Sequence, residues 1–255
     1  MSESLVSFKI ESVKKPLPVE VWEDYQAWEK YSQSDFRWVF NKLEVALRGG
    51  LHAGPAAVPP AKDGLYVSRP IYNLYGMGIG AEQFSYTKDQ YEDMVQHKLV
   101  PPSYFWCEWV SGEHLSIDYQ RYDNGTWEVS SVWMGQHYSD SNLTRFKSWT
   151  RLSNRAAPSV AELPITLEWI SGDEVSFFNV EMRGEHIVEI HLRPGELMFK
   201  DLPVGTVLYP VWDNVEELPR GQWIPDVDPD MSKYTANGHL TEIRDGFVVV
   251  RNEHQ

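Results

Sequence analysis

The chain has 255 residues, a formal net charge of −14 and 42% hydrophobic residues, so it can bury a large core in one domain or in closely joined lobes. The acidic balance disfavours a broad nucleic-acid surface, and no stretch approaches the roughly 20 apolar residues of a membrane span. The pattern of the N-terminal segment predicts no secretory signal, and the single cysteine, Cys107, is expected to be a buried, inert thiol. These features predict a cytoplasmic protein; nothing in the sequence indicates its oligomeric state.

The first part of the chain, residues 1–64, is predicted to form a helical N-terminal region. Apolar residues three positions apart predict an amphipathic helix between residues 19 and 32. The residues proposed for its apolar face are Val19, Trp22, Tyr25, Trp28 and Tyr31. A second helix is predicted from Asp35 to Arg48, because Asp35 suits an N-cap and two glycines follow the end.

A strand, a cation and a glycine-rich loop follow one another from Leu65 onward. Arg69 stands at the end of the strand, and the loop contains Gly76, Gly78 and Gly80. Such a loop lets backbone N–H groups surround an anion, and the arginine adds a permanent positive charge. This pattern predicts a phosphate site; the alternative is a strand that leaves through an ordinary flexible loop.

Hairpins dominate the remainder of the chain and predict an α+β protein. Helices are expected from Thr87 to about Lys98 and within Ser141–Leu152. The expected hairpins are Leu115–Tyr122 with Trp127–Trp133, Val175–Met182 with His186–Leu192, and Leu240–Ile243 with Phe247–Val250. Residues 201–255 are otherwise predicted to be a loop-rich extension.

Two groups of polar residues could carry chemistry. Between Cys107 and Gln120, Glu108 and Glu113 could accept hydrogen bonds from an adenine amino group and from ribose hydroxyls, while Asp118 is interpreted as a solvated carboxylate. The alternative for the whole segment is a plain hairpin with solvated acids.

The second group lies between Phe178 and Gly195. Asn179 and Glu181 share one strand face, and Glu189, His191 and Arg193 share a face of the returning strand. A carboxylate among apolar neighbours needs a compensating positive charge. Glu189 with Asn179 or Glu181 would suit a nucleotide-bound Mg²⁺; alternatively, Glu189 pairs with Arg193 across the sheet surface.

The order of these features resembles the ATP-grasp superfamily. The segments VSGEHLSID and IVEIHLRPG are its most specific parts, and the resemblance covers roughly Leu65 to Gly195. It implies an ATP-grasp-like fold with two lobes whose antiparallel sheets clasp a nucleotide cleft. Residues 65–110 would form the small lobe with the glycine-rich loop, and residues 111–200 the core lobe.

The resemblance also implies roles for the nucleotide-binding residues. Arg69 would replace the usual phosphate-binding lysine, and Gly76, Gly78 and Gly80 would belong to the loop that closes over the phosphates. Glu108 would lie beside the adenine, and Glu113 would hold the ribose.

For the reaction, the resemblance implies Mg²⁺ held by Glu189 with Asn179, Glu181 or His191. Arg193 would face the transferred phosphate or the acyl group. Three positions depart from the family pattern: His191 stands in place of an asparagine, Asn179 and Glu181 stand where one acid is usual, and Arg69 stands in place of lysine.

The function implied by the resemblance is an ATP-dependent ligase that joins a small-molecule carboxylate to an amine or thiol through an acyl-phosphate. Its cofactors would be ATP and Mg²⁺. The departures leave open a catalytically inactive ATP-grasp-like binding or assembly module. An acidic inhibitor that imitates DNA is a further alternative.

Overall fold

The computed structural model of the chain describes residues 14–72, 80–138, 143, 145–195, 201–211, 218–219, 221–225 and 246–250. Most of these residues belong to two antiparallel sheets. The helices are α1 (Asp24–Tyr31), α2 (Lys42–Arg48) and α3 (Tyr91–Val95). The strands are β1 (Ala53–Pro55), β2 (Gly64–Pro70), β3 (Glu82–Tyr86), β4 (Tyr104–Glu108), β5 (His114–Arg121), β6 (Trp127–His137), β7 (Phe146–Arg151), β8 (Phe177–Arg183), β9 (His186–His191), β10 (Val207–Val211), β11 (Gln222–Pro225) and β12 (Gly246–Val250).

The smaller sheet has the strand order β1-β4-β2-β3, with antiparallel pairing throughout. Val67 on β2 lies opposite Cys107 on β4, and both side chains pack on the face that α2 covers. Tyr66 and Trp106 point to the other face, where they pack against Met94 of α3. This alternation, which follows from the strand period of two, leaves Arg69 on the same face as Val67.

The larger sheet has the order β11-β12-β10-β7-β6-β5-β8-β9. One face carries the main core, in which Ile117, Phe178 and Val180 pack beneath α1 and the segment around Trp169. The opposite face carries the polar residues of β5, β8 and β9. A smaller cluster of Trp133, Trp149 and Leu208 packs farther along the sheet.

Helix α2 lies between the two sheets and contacts β9 on one side and β1 and β4 on the other. Its first turn is capped by Asn41, whose side-chain oxygen accepts a hydrogen bond from Glu44 N at 3.1 Å, a common N-cap arrangement. The predicted helix over 35–48 is therefore divided, because residues 37–40 form a separate 3₁₀ turn before the cap.

The buried face of α1 differs from the prediction. Trp22 is 53% exposed, and Tyr25 and Trp28 are also exposed, whereas Asp24 and Ala27 are buried. The three-residue spacing of aromatic residues thus identifies a helix, and Tyr31 is buried as predicted, but Tyr25 and Trp28 do not lie on the buried face and Trp22 precedes the helix. The buried polar contacts of Asp24, described below, explain this orientation.

The segment predicted as a helix within residues 141–152 is a strand where the structure describes it. Residues Phe146–Arg151 form β7, which pairs with β6 and, through Trp149, with Leu208 of β10. Tertiary packing of Trp149 against Trp133 explains why the local helical pattern does not decide the conformation.

The C-terminal region contains more sheet than predicted. Strand β12 pairs with both β10 and β11, in place of a terminal hairpin with Leu240–Ile243, which lies outside the described residues. The α+β class is confirmed by the two antiparallel sheets and their few helices. Within the described residues, no helix is long and apolar enough to cross a membrane.

Candidate active site

A cleft lies between the inner face of the small sheet and the polar face of the large sheet. The space free of protein atoms along it is about 870 Å³, with the open solvent at its mouth included. Its lining residues are Leu51, Val67, Arg69, Ala81, Cys107, Glu108, Trp109, Val110, His114, His137, Leu143, Phe146, Glu181, Arg183, Val188, Glu189, His191 and Arg193.

Five predicted residues from two distant segments lie together at the polar end of this cleft: Arg69 from β2, and Glu181, Glu189, His191 and Arg193 from the β8–β9 hairpin and the turn after it. A smaller pocket lies behind Glu189 and His191, and Asp24 and Lys42 line it. The polar end is therefore enclosed by both sheets and by the N-termini of α1 and α2.

A β-bulge sets the position of the two glutamates. The register between β8 and β9 shifts after Glu181, and Glu181 lies directly opposite Glu189 on the cleft face. Two like charges in this position repel each other unless cations lie between or beside them. The surrounding basic side chains supply that compensation.

Glu189 is the centre of an ion-pair network. Its Oε2 lies 2.8 Å from Lys42 Nζ, while Arg69 pairs with Oε1. Arg69 also donates a hydrogen bond to the Val188 carbonyl at 3.2 Å. Burial alone would raise the pKa of Glu189, but the charges of Lys42 and Arg69 outweigh this effect and hold the pKa well below its usual range.

His191 lies between three carboxylates. Its Nδ1 is 2.9 Å from Asp24 Oδ1, and its Nε2 is 3.3 Å from Glu189 Oε2 and 3.7 Å from Glu181 Oε1. Burial lowers the pKa of an imidazole, but the charge of Asp24 dominates here and raises the pKa of His191 well above its usual value. The ring is therefore a cation at neutral pH.

Asp24 also holds Arg193. The distance from Arg193 Nη2 to Asp24 Oδ2 is 2.9 Å, and Nη1 donates to the Pro194 carbonyl at 2.7 Å. Burial alone would raise the pKa of Asp24; the charges of Arg193 and His191 reverse this and lower it. Arg193 is thus fixed at the edge of the cleft rather than free to swing.

Asn179 is not brought to the cleft. It is 1% exposed, and its amide donates to Ser116 Oγ and to Asp118 Oδ1, both at 2.9 Å. The Gly195 backbone covers it, and Gly195 N donates to Asp118 Oδ1 at 2.8 Å. This packing corrects the prediction that Asn179 could hold a metal, and it also corrects the prediction that Asp118 is solvated.

The nucleotide-binding predictions meet different outcomes. Glu108 lines the cleft, although its Oε1 accepts a hydrogen bond from His52 N at 2.7 Å. Glu113 is exposed and does not line it. Gly80 has φ +79 and packs closely on Tyr104, while Gly76 and Gly78 lie outside the described residues.

The donor set does not fit a divalent metal. Both oxygens of Glu189 contact cations, and the Glu181 oxygens face His114 at 3.2 Å and His191 at 3.7 Å. Within the described part of the chain, no group of three or more His, Cys, Asp or Glu side chains is arranged to hold a metal ion. The predicted Mg²⁺ site at Glu189, Asn179, Glu181 and His191 is therefore not supported by their geometry.

The other end of the cleft is aromatic and apolar. The His114 ring packs edge-on against Phe146, with 4.9 Å between the centroids, and Arg183 lies 4.4 Å from the centroid of Trp109. Burial lowers the pKa of His137 to about 4, so that this ring is neutral. Val67, Val110 and Leu51 complete a wall that suits a flat apolar ring.

Lys42 and Asp24 are the two residues of the network that sequence reasoning missed. Lys42 is 7% exposed and Asp24 is 6% exposed, although charged residues near helix N-termini are usually solvated. Asp24 and Lys42 each follow a helix N-cap, Glu23 and Asn41, and this position gives no sequence signal that either side chain is buried.

No family model matches the sequence, and no curated protein matches it significantly. Solved structures are similar to it at low identity. An L-amino acid ligase from Bacillus licheniformis is 10% identical, with 84% of this chain and 67% of that chain covered and a TM-score of 0.48. An N5-carboxyaminoimidazole ribonucleotide synthetase from Thermus thermophilus is 12% identical, with 85% and 69% covered and a TM-score of 0.48.

A protein from Archaeoglobus fulgidus described as an ATP-grasp superfamily member is 12% identical, with 85% of this chain and 65% of that chain covered and a TM-score of 0.46. The chain thus spans about two thirds of the length of these structures. All of these TM-scores are below 0.5, so the resemblance to the ATP-grasp superfamily stays a prediction.

Proposed function

We propose that the cleft between the two sheets is an ATP-grasp-like site that binds an adenine nucleotide. The observation that carries the proposal is the convergence of Arg69, from the small sheet, with Glu181 and Arg193, from the large sheet, on one cleft. Arg69 is separated from the other two by more than a hundred positions in sequence, and the α+β sheet pairing brings all three within one enclosed volume.

The two ends of the cleft differ in the way that a nucleotide requires. Apolar and aromatic side chains at one end offer a surface for a flat base, and Arg69 and Arg193 at the other end offer planar donors for phosphate oxygens. Glu108 lies between the sheets with one oxygen, Oε1, engaged by His52 N. Its second oxygen is the proposed acceptor for an exocyclic amino group.

Calorimetric titration with ATP and with ADP tests the proposal. We expect binding in the micromolar to millimolar range, and we expect Arg69→Met to weaken it by about tenfold, the loss of one charge-assisted contact. Arg48→Met is the matched control, because Arg48 pairs with Glu44 and Glu168 outside the cleft. If the wild-type protein binds neither nucleotide, the proposal fails.

The activity that we propose to test first is ATP-dependent ligation of a small-molecule carboxylate to an amine or thiol. A carboxylate oxygen would attack the γ-phosphorus and release ADP; the amine would then attack the acyl carbon, lose a proton and release phosphate. Arg69 and Arg193 would neutralise charge on the transferred group. Production of ADP that requires both a carboxylate and an amine, screened with mixed amino acids, tests this activity.

A second candidate function is a binding or assembly module that holds a nucleotide without consuming it. The specific observation in its favour is that both oxygens of Glu189 already contact cations. This candidate predicts binding of ATP without release of ADP under any substrate mixture. The DNA-imitating alternative is not supported by the interior location of Asp24, Asp118 and Glu189.

A further inference from the structure

We propose that Lys42 and Arg69 take the place of a divalent cation at Glu189, so that the cleft binds its nucleotide in the metal-free form. The part of this inference that concerns a metal-free nucleotide rests on the proposed nucleotide-binding function. The part that concerns exclusion of a metal rests only on the geometry of Glu189. The inference assigns Lys42, a residue outside the main cleft, a role in setting which ligand the site accepts.

The first step of the argument is the occupancy of the Glu189 carboxylate. Arg69 approaches Oε1 from the cleft, and Lys42 Nζ approaches Oε2 from the cavity behind, at 2.8 Å. Glu189 is 9% exposed, so water cannot replace either partner at low cost. A metal ion that coordinated Glu189 would have to displace a buried cation from each oxygen that it used.

The second step is the charge of the surroundings. Three basic side chains, Lys42, Arg69 and Arg193, face three carboxylates, Asp24, Glu181 and Glu189. The formal charges of these six side chains therefore balance without a metal. A divalent ion would leave an uncompensated excess of positive charge in a buried site.

The third step concerns the remaining acidic side chains of the cleft. Glu181 faces two histidines, and one oxygen of Glu108 accepts a backbone N–H at 2.7 Å. Mg²⁺ prefers oxygen ligands in an octahedral arrangement. No second free carboxylate lies beside Glu189 in the described residues to form such an arrangement.

The experiment compares metal and nucleotide binding to the full chain. Mn²⁺ alone is titrated and followed by its paramagnetic signal, and ATP is titrated with excess Mg²⁺ or with excess EDTA. We expect no Mn²⁺ binding, and an ATP dissociation constant in EDTA that is equal to or lower than the value in Mg²⁺. An affinity at least about tenfold higher with Mg²⁺ would overturn the inference.

The decisive variant is Lys42→Met with Arg69→Met, which removes the Lys or Arg partner of each Glu189 oxygen and leaves His191 Nε2 in place, 3.3 Å from Oε2. We expect this double variant to bind Mn²⁺ and to melt at a higher temperature in its presence, because binding to the folded state stabilises it. The control carries Lys98→Met with Arg48→Met, two exposed basic residues. If the double variant does not fold, the single variant Arg69→Met is used in its place, because it removes the basic partner of Oε1, the Glu189 oxygen that faces the cleft.

The outcomes separate this inference from the proposed function. If neither form of ATP binds, the nucleotide proposal fails, and the Mn²⁺ titrations still decide the question of metal exclusion. If the wild-type protein binds Mn²⁺ and Glu189→Gln abolishes the binding, the inference is overturned. It is also overturned if the folded variants that remove these basic partners of Glu189 bind no Mn²⁺, because Lys42 and Arg69 would then not be what excludes the metal.

Discussion

Asp24 and His191 form a buried pair that joins α1 to β9 across 167 positions of sequence, with 2.9 Å between Oδ1 and Nδ1. Asp24 also holds Arg193, so one carboxylate fixes two of the basic residues at the polar end of the cleft. This double contact explains why α1 turns the face of Asp24, Ala27 and Tyr31 inward and leaves Tyr25 and Trp28 exposed. The arrangement is the basis of the first prediction.

Asp24→Ala should destabilise the protein by about 3–5 kcal/mol, because it leaves two buried cations without a partner. Trp22→Ala, at an exposed position just before the same helix, should change stability by no more than about 0.5 kcal/mol. Urea unfolding followed by circular dichroism measures both. Equal effects of the two substitutions would contradict the orientation of α1.

Glu189→Gln should also destabilise the fold strongly, by about 3–5 kcal/mol, since Lys42 and Arg69 would remain buried and charged. Combining it with Lys42→Met should cost less than the sum of the two single substitutions, because the second change removes one of the unpaired cations. A double-mutant cycle from unfolding curves measures this coupling. Additive effects would show that the two side chains do not interact.

Stability should fall as the pH rises through the alkaline range. The pKa of His191 is raised in the folded state, chiefly by Asp24, so its stabilising contribution is complete below about pH 6.5, the unfolded value, and is lost as pH rises through the folded pKa. His191→Gln should remove this dependence. Unfolding at a series of pH values tests it; an unchanged alkaline slope in the variant would assign the effect to another group.

Acidification should destabilise the protein through the carboxylates. Asp24, Glu181 and Glu189 have lowered pKa values in the fold, so their contribution is present above about pH 4.5 and is lost as the pH falls toward their folded values. Asp118 acts in the opposite direction, because burial raises its pKa. We expect the three lowered groups to dominate, which acid titration of the unfolding midpoint measures.

Gly195→Ala should disturb the turn that carries Arg193. A Cβ atom at this position would lie 2.6 Å from Asn179 Nδ2 and 3.0 Å from Ser116 Oγ, so the substitution should cost about 1–3 kcal/mol. Gly172→Ala is the control, because its Cβ would meet only Trp169 O, at 3.7 Å. Similar unfolding midpoints for the two variants would contradict the close packing at Gly195.

The sequence predicts the hairpins better than the helices. The pair β8 and β9 is recognisable from alternation and from the Arg183-Gly184 turn, and it brings Glu181 opposite Glu189 as a polar face. The prediction of a helix at strand β7 is wrong because its partner, β6, is needed to bury Trp149. The local sequence pattern therefore identifies a hairpin whose strands and turn are adjacent in sequence. It fails for a strand whose conformation depends on pairing with a strand outside that segment.

The candidate site is predictable from sequence in its position but not in its charge balance. Arg69 is identifiable as a cation at a strand end before a glycine-rich loop, Glu189 as a carboxylate among apolar neighbours, and Arg193 from the ATP-grasp resemblance. Lys42 and Asp24 are not, because a charged residue in a helix is exposed in most proteins and only the tertiary packing buries it. The sequence prediction of a metal site did not include Lys42 and Asp24. These two residues contact Glu189 and His191, the predicted metal ligands.

Arg69 belongs to the small sheet and Glu189 to the large one, so their ion pair holds the two sheets together. A polyanion that binds the guanidinium of Arg69 competes with Glu189 for it. Ligand binding therefore weakens the contact between the sheets, and added salt weakens both the ion pair and the binding of the polyanion.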